Sequence, residues 1–327
     1  MRLRGYAPAL PTPFADSGEL DLTALERLCR RQIEEGASAL VVCETTGEAP
    51  TLDRAEHDAV IRVAVAQSRG RIPVIAGAGS NSTSQAIELA KDAEVAGADA
   101  VLSVVPYYNK PTQEGIYAHF RAIAEAVGIP IILHDVPSRT VCGLADDTIV
   151  RLAEMPQCVG LEDASGDSTR ALRLRAQLGS EFQLLSGDDA SAFAFFAHSG
   201  DGCISVAANV APGLCRAMYV AWRQGEVARA QQLAAVIARL AGALARESNP
   251  APIKYALSTM NLMSARVRLP LVELAGESKL EIDRLLAQIG AKYSVCLIGD
   301  VVGPLQNAGP PVDPSRPQRK FVVISSG

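Results

Sequence analysis

Polar residues able to do chemistry follow several short apolar runs in this sequence. Glu44 comes directly after the second run, His134 ends the fifth and Glu162 ends the sixth. A histidine beside a glutamate can form an acid–base dyad, since the carboxylate orients the imidazole or itself removes a proton next to a substrate carbonyl. In a purely structural role, the histidine neutralises a carboxylate that is costly to bury alone. With Glu44 or Asp163 added, the pair could instead bind a divalent metal, although no ligand spacing demands one.

The apolar runs alternate with amphipathic stretches of helical length. Eight runs are predicted strands: residues 6–10, 37–43, 72–78, 100–105, 129–134, 158–162, 182–186 and 202–206. Seven stretches are predicted helices: residues 22–35, 53–68, 82–96, 113–126, 146–154, 168–178 and 189–199. Such β–α repeats over about 225 residues predict an α/β fold, the (β/α)8 TIM barrel, whose reacting groups lie at the carboxyl ends of its strands. His134 and Glu162 are then expected at the ends of neighbouring strands and pointing into the pocket, where they could meet as a hydrogen-bonded pair.

The chain changes character twice beyond the barrel, which we assign to residues 1–225. Residues 226–290 contain three further helical patterns, at 226–246, 253–260 and 278–289, and are interpreted as a C-terminal helical appendage. Residues 291–327 form a Pro-rich extension with few large apolar side chains, and we expect it to be partly disordered.

Composition excludes several classes of function. The 327 residues are 48% hydrophobic and 20% charged, with a net charge of −5, as is typical of a soluble globular enzyme. No basic stripe and no unbroken apolar span is present, which argues against nucleic-acid and membrane partners. Seven scattered cysteines and the lack of a signal peptide favour a cytoplasmic location. No nucleotide, flavin or haem motif is found, so no cofactor and no resident metal is expected.

Six short segments together resemble a known enzyme family. They lie at residues 11–14, 45–48, 73–77, 106–109, 136–140 and 185–188. Through them the chain resembles the dihydrodipicolinate synthase and N-acetylneuraminate lyase family, from its start to about residue 290. The Pro-Ser-Arg-Thr stretch and the double tyrosine are most similar to dihydrodipicolinate synthase.

The resemblance implies roles for matching positions. Thr45 and Thr46 would hold the carboxylate of a 2-oxo acid through hydroxyl and backbone N–H groups. Tyr108 would reach across a subunit contact and share a proton relay with Thr45, and the guanidinium of Arg139 would bind a second carboxylate. Backbone atoms of two further positions would line the pocket: Gly187 and Ile204. The resemblance also implies a homotetramer built as a dimer of dimers.

Two positions depart from the family pattern. The family forms an imine between a lysine on strand six and the ketone of pyruvate or a related acid, and Glu162 stands in that place here. His134 likewise replaces a proton-shuttling tyrosine on strand five. A carboxylate cannot form an imine. None of the lysines is an obvious substitute, and Lys254 falls outside the predicted strands.

These residues predict a protein that binds a small 2-oxo or other carboxylic acid and performs lyase-type acid–base chemistry without a lysine imine. Its expected catalytic residues are those already singled out: Glu162, His134, Tyr108 and Thr45. One alternative is a non-catalytic descendant that binds a small acid as a sensor or partner subunit, and another is a metal-assisted aldolase or hydratase. Of the other histidines, His57 is expected at the surface or at an interface.

Overall fold

Eight parallel strands form the centre of the protein. The structure, a computed structural model, describes residues 2–293. Its strands are β1 (Gly5–Pro8), β2 (Leu40–Val42), β3 (Val74–Gly77), β4 (Ala100–Val104), β5 (Ile131–Asp135), β6 (Cys158–Asp163), β7 (Gln183–Ser186) and β8 (Gly202–Ser205). They pair in the order β1-β8-β7-β6-β5-β4-β3-β2. A parallel bridge between Ala9 and Val41 joins β1 to β2 and closes the ring, so the predicted (β/α)8 TIM barrel is confirmed.

Helices surround this barrel and continue beyond it. They are α1 (Leu22–Glu34), α2 (Arg54–Ser68), α3 (Thr83–Ala96), α4 (Gln113–Ala124), α5 (Pro137–Thr140), α6 (Asp146–Ala153), α7 (Arg170–Leu178), α8 (Ala192–Ala197), α9 (Pro212–Arg223), α10 (Val227–Leu244), α11 (Ala251–Thr259) and α12 (Gly276–Lys292). Every predicted helical stretch overlaps one of them, and α11 and α12 begin two residues before their predicted stretches. The sequence patterns did not single out α5 or α9, and both begin with proline. Proline suits the first turn of a helix, because the N–H that it lacks has no helical partner there.

Reciprocal capping starts α2 directly after the loop that follows β2. The Asp53 carboxylate accepts a hydrogen bond from the backbone N–H of Glu56 at 2.8 Å, and Glu56 Oε2 accepts from the backbone N–H of Asp53 at 3.1 Å. Such a capping box contributes about 1 kcal/mol. The capping box fixes the residue at which the β2 loop, which carries Glu44, ends and α2 begins.

Both faces of the strands are buried. Alternate strand residues such as Val41, Ile75, Leu102 and Ile132 fill the inside of the barrel, and their neighbours pack outward against the helices. This double burial explains why the strands are nearly continuous apolar runs. The filled interior leaves the barrel ends as the places where a ligand can enter.

The C-terminal helices pack on one side of the barrel. Helix α10 lies mainly against α9, and α12 packs on α10 and α11. Ile237 and Ile282 are fully buried in these contacts. A boundary near residue 225 between barrel and appendage remains our proposal, and the predicted extension beyond residue 293 lies outside the described residues. Within residues 2–293, no helix combines the length and the apolar character needed to cross a membrane.

Candidate active site

The carboxyl ends of β5 and β6 place His134 beside Glu162. The two residues are register partners in the parallel strand pair, and only 6% and 5% of their surfaces are exposed. His134 Nε2 lies 3.8 Å from Glu162 Oε2. This distance is too long for a hydrogen bond, so the expected hydrogen-bonded pair is wrong and the two groups form an ion pair. The side chains are neighbours because parallel strands present register partners at the same height of the barrel.

Glu44 lies on the opposite side of the same imidazole. Its Oε2 is 3.3 Å from His134 Nδ1, so the histidine is held between two carboxylates. The position depends on Gly77, where an added Cβ would lie 2.0 Å from the carbonyl oxygen of Cys43 and 2.9 Å from Glu44 Oε1. Only glycine at this position leaves room for the β2 loop to bring Glu44 against the histidine.

This geometry does not suit a metal centre. Glu44 and Glu162 contact opposite nitrogens of His134, and the two carboxylates therefore cannot converge on one ion together with the ring. In the part of the chain that the structure describes, no group of three or more histidine, cysteine, aspartate or glutamate side chains is placed to hold a metal. The arrangement gives no support to a metal-assisted mechanism.

Burial and nearby charges raise the pKa values of both His134 and Glu162. Burial alone would lower the pKa of His134, but the charges of Glu162 and Glu44 outweigh it and raise this pKa to about 9. Burial raises the pKa of Glu162 to about 7, against the lowering effect of His134. At neutral pH the histidine is therefore a cation, and the glutamate can both accept and release a proton.

These shifts predict a stability that falls as the pH rises. A group whose pKa is raised by folding stabilises the protein below its unfolded pKa, and this contribution disappears as the pH rises through the folded pKa. For Glu162 the window is about pH 4.5–7, and for His134 it is about pH 6.5–9. We expect the free energy of unfolding to fall by on the order of 2–3 kcal/mol across the histidine window.

Denaturant unfolding of a His134→Gln/Glu162→Gln double variant at several pH values checks this dependence. Both titrating groups must be removed, because the pKa of Glu162 would rise further without the charge of His134. The double variant should lack the decline between pH 6.5 and 9. A matched variant, His198→Gln, changes a histidine at the end of α8 and should retain it. An equal decline in all three proteins would show that other groups cause it.

A second buried network lies directly behind the pair. Arg170 Nη1 is 2.7 Å from Asp135 Oδ2 and 3.4 Å from Asp163 Oδ1, and its Nε is 2.8 Å from Asp146 Oδ1. The guanidinium also donates to the carbonyl of Leu144. Asp163, which the sequence offered as a metal ligand, is thus paired with an arginine.

A buried lysine forms an ion pair with the β2 loop. Lys254, fully buried on α11, has its Nζ 2.5 Å from Glu48 Oε1 and donates to the carbonyl of Arg266 at 2.9 Å. Its ammonium group also lies 4.0 Å from the centre of the Phe14 ring. Burial lowers the pKa of Lys254 to about 8 despite the charge of Glu48. Sequence reasoning missed this contact, since the partners are more than 200 residues apart.

Asn249 is a second residue that the sequence analysis missed. Its side-chain N–H donates to Thr46 Oγ1 at 2.9 Å, and Thr46 is almost fully buried. The segment between α10 and α11 thereby reaches one of the predicted carboxylate-binding threonines. The only sequence signal was an asparagine before a proline at a helix break.

Two cavities open beside these residues and share Arg139. The first, of about 520 Å³, is lined by Glu44, Thr45 and Arg139 among others. The second, of about 790 Å³, is lined by Gly187 and again by Arg139. Burial lowers the pKa of Arg139, as expected for a guanidinium partly removed from water. An anionic ligand in either cavity would meet this cation.

Gly187 and Ile204, which were predicted to line the pocket, are both closely packed. A Cβ on Gly187 would lie 2.9 Å from Glu162 Oε1, so only glycine at this position lets the backbone that lines the second cavity pack against the glutamate. Ile204 is buried on β8 inside the barrel.

His57 is buried too, and its Nε2 is 2.8 Å from the carbonyl oxygen of Gly77. Its expected surface position is wrong, because it packs beneath the close approach of β3 and the β2 loop.

Comparison with known proteins decides the family. A model of the dihydrodipicolinate synthetase family matches residues 2–289. The chain belongs to this family. It is similar to a 4-hydroxy-tetrahydrodipicolinate synthase of Thiobacillus denitrificans, with 52% identity over 84% of this chain and 92% of the relative. One from Bradyrhizobium diazoefficiens is 47% identical over 88% of this chain and 97% of the relative.

A solved structure of the dihydrodipicolinate synthetase family shows the same architecture. The chloride-inhibited dihydrodipicolinate synthase of Acinetobacter baumannii, complexed with pyruvate, is 44% identical. The match covers 88% of this chain and 99% of that one, with a TM-score of 0.86. The fold and a synthase-like lyase ancestry are thus shared across the barrel and the C-terminal helices.

Tyr108 stands apart from the other predicted site residues. It is 87% exposed, and its φ of 70° places it in the left-handed region at the tip of the loop after β4. None of the hydrogen bonds between described residues joins it to Thr45. Its exposed ring leaves the predicted proton relay with Thr45 unformed within the described chain.

Proposed function

We propose that this family member binds a small 2-oxo or other carboxylic acid at the barrel mouth and acts on it by lyase-type acid–base chemistry without a lysine imine. The observation that carries the proposal is the carboxylate of Glu162 at the end of β6, in ion-pair contact with His134. We take this glutamate to occupy the position of the imine-forming lysine. Relatives named as 4-hydroxy-tetrahydrodipicolinate synthases support the lyase assignment.

In this mechanism the site divides into binding and reacting sides. Thr45 and Thr46 hold the ligand carboxylate, and Arg139 binds a second carboxylate where the ligand has one. Glu162 removes the proton next to the carbonyl, for which a pKa of about 7 suits a general base at neutral pH. The His134 cation beside it stabilises the negative charge that develops on the carbonyl oxygen.

The described lysines support the absence of an imine. Lys254 contacts the β2 loop, yet its Nζ is occupied by Glu48 and by the carbonyl of Arg266. It is fully buried and is not among the residues that line either cavity. An imine at Lys254 would require breaking a buried ion pair before any ketone could reach the amine.

Deuterium exchange tests the proposed chemistry. Small 2-oxo acids that raise the melting temperature would be incubated with the protein in D₂O, and nuclear magnetic resonance would follow deuterium incorporation next to the carbonyl. We expect exchange that Glu162→Gln slows by about 10²–10⁴-fold, the usual contribution of a positioned base. Equal exchange rates in the wild-type and variant proteins would contradict the role of Glu162.

A second candidate function is binding without catalysis. It is favoured by the depth of the pair, since His134 and Glu162 are almost fully buried and neither is among the residues lining the two cavities. In that case an acid would still raise the melting temperature, but the exchange rate next to its carbonyl would match that of a solution without protein.

We further propose that Tyr108 completes the site of a neighbouring subunit in a homotetramer. Its exposure and its backbone conformation support this proposal. We expect sedimentation to give the mass of four chains, and we expect Tyr108→Phe to slow the exchange reaction without changing that mass. A monomeric wild-type protein with full exchange activity would contradict the proposal.

A further inference from the structure

Two pairs of side chains lie on opposite faces of the sheet at the ends of β5 and β6. His134 pairs in register with Glu162, and the next residue of each strand, Asp135 on β5 and Asp163 on β6, pairs in the same way. Successive side chains of a strand point to opposite faces of the sheet. The two aspartates therefore face the surrounding helices, while the histidine and the glutamate face the inside of the barrel. Because both pairs are carried by the same two strand ends, the spacing of the outer pair affects the spacing of the inner pair.

The outer pair, Asp135 and Asp163, consists of two like charges that are almost completely removed from water. Their exposed fractions are 1% and 5%. Like charges at opposed strand positions repel each other, and the low dielectric constant of the protein interior strengthens this repulsion. Burial raises the pKa of Asp135, and the charge of Asp163 adds to this rise. Without a cation, these two carboxylates would force the ends of β5 and β6 apart.

Arg170 is the cation that lies between the two aspartates. Its Nη1 is 2.7 Å from Asp135 Oδ2 and 3.4 Å from Asp163 Oδ1, and only 6% of its side chain is exposed. Its other nitrogens donate to Asp146 and to the carbonyl of Leu144, which fixes the guanidinium in this position. A planar guanidinium with five N–H donors can bind both strand ends and these two further groups at once, whereas an ammonium has three donors at a single point.

We propose that Arg170 is a positioning residue for the reacting pair. It joins Asp135 to Asp163 on the outer face of the sheet. On the inner face, it thereby holds Glu162 within ion-pair distance of His134. This inference rests on the proposed function for the role of the pair in proton transfer. Arg170 is not among the residues that line either cavity, so it acts through the strand ends and not on the ligand.

The charge of Arg170 and its positioning role have opposite effects on the pKa of His134. The charged groups that face this imidazole are Glu162 on β6, Glu44 in the β2 loop and Asp135 on its own strand. Loss of a nearby cation by itself raises the pKa of a histidine, because the negative charges around it are then less well balanced. Burial lowers the pKa of His134, and Glu162 is the strongest of the charges that raise it. Separation of His134 from Glu162 therefore lowers this pKa.

Titration of the imidazole by nuclear magnetic resonance in Arg170→Met distinguishes the two effects. The measurement uses the full chain with labelled histidine, and the signal of His134 is the one that is missing from His134→Gln. We expect the pKa of His134 to fall by about one pH unit or more, as is typical when an opposite charge within about 4–6 Å is moved away. An unchanged or raised pKa would overturn the positioning role.

Two further variants complete the titration. Arg170→Lys keeps the positive charge but loses the planar fork that joins both carboxylates. It should show a fall in the same direction, and it decides the question if Arg170→Met does not fold. Arg173→Met removes another cation of α7, whose Nε is 3.2 Å from Asp146 Oδ2, and should leave the pKa of His134 unchanged. An equal fall in Arg173→Met would refute the assignment to Arg170.

Deuterium exchange links the position of the pair to the proposed chemistry. In Arg170→Lys we expect the maximal exchange rate to fall by about ten- to a hundredfold, the cost of a small displacement of reacting groups, with the affinity for the acid retained. An undiminished exchange rate would overturn the role of Arg170 in the reaction. Because the titration needs no ligand, a wild-type chain without exchange activity refutes the proposed chemistry, whereas an unchanged pKa of His134 refutes the positioning role.

Discussion

Replacing Glu162 with lysine is expected to create a chain that pyruvate and borohydride label covalently. The lysine amine would lie at the end of β6 beside the His134 cation, whose charge and the surrounding burial both favour the neutral, nucleophilic amine. The loss of such a nucleophile costs on the order of 10⁶ in kcat, or about 8 kcal/mol of barrier. Its restoration should therefore change labelling from none to about one pyruvate per chain, measured by intact mass.

Glu162→Met is the matched control for this gain of labelling. It has an unbranched side chain and removes the same charge, but it carries no amine. Peptide mapping should place the adduct of Glu162→Lys on residue 162. A folded Glu162→Lys chain that stays unlabelled would show that the end of β6 does not face the ketone, and the assignment of Glu162 to the imine position would fail.

Loss of the buried cation on α11 should have the largest effect on stability. Lys254→Met leaves Glu48 buried without its ion-pair partner, which typically costs about 3–5 kcal/mol. The free energy of unfolding in denaturant gives this quantity directly. We also expect weaker carboxylic-acid binding, because Glu48 ends the loop that carries Thr45 and Thr46.

A double variant separates the unpaired charge from lost packing. Lys254→Met combined with Glu48→Gln removes both charges and should recover a large part of the stability. Lys279→Met breaks an exposed pair with Glu273 and should change the stability by less than about 1 kcal/mol. A cost for Lys254→Met as small as that of Lys279→Met would show that the buried pair does not fix the loop.

The barrel was predictable because its signals are local. Each strand is a short apolar run and each helix has its own periodicity, so alternation alone indicates the architecture. The helices that escaped individual prediction begin at Pro137 and Pro212. A proline inside a helical pattern breaks the helix, whereas a proline in the first turn is compatible with one. Sequence periodicity does not distinguish these two positions.

The site was predictable only in part. The placement of His134 beside Glu162 follows from their positions at the ends of consecutive strands. Their separation of 3.8 Å and the approach of Glu44 from the other side depend on side-chain packing and on a glycine that tolerates a close backbone contact. The pairing of Lys254 with Glu48 joins a C-terminal helix to the β2 loop, a contact between distant segments that no local pattern encodes.

Borohydride trapping of the unmodified protein with pyruvate shows directly whether the chain forms an imine. The protein would be incubated with an excess of pyruvate, reduced and measured as an intact chain, with a lysine-dependent member of the family treated in parallel. We expect the relative to gain the mass of one reduced pyruvate and this chain to keep its original mass. A pyruvate adduct on any lysine at the barrel mouth would contradict the claim and show that the protein uses an imine after all.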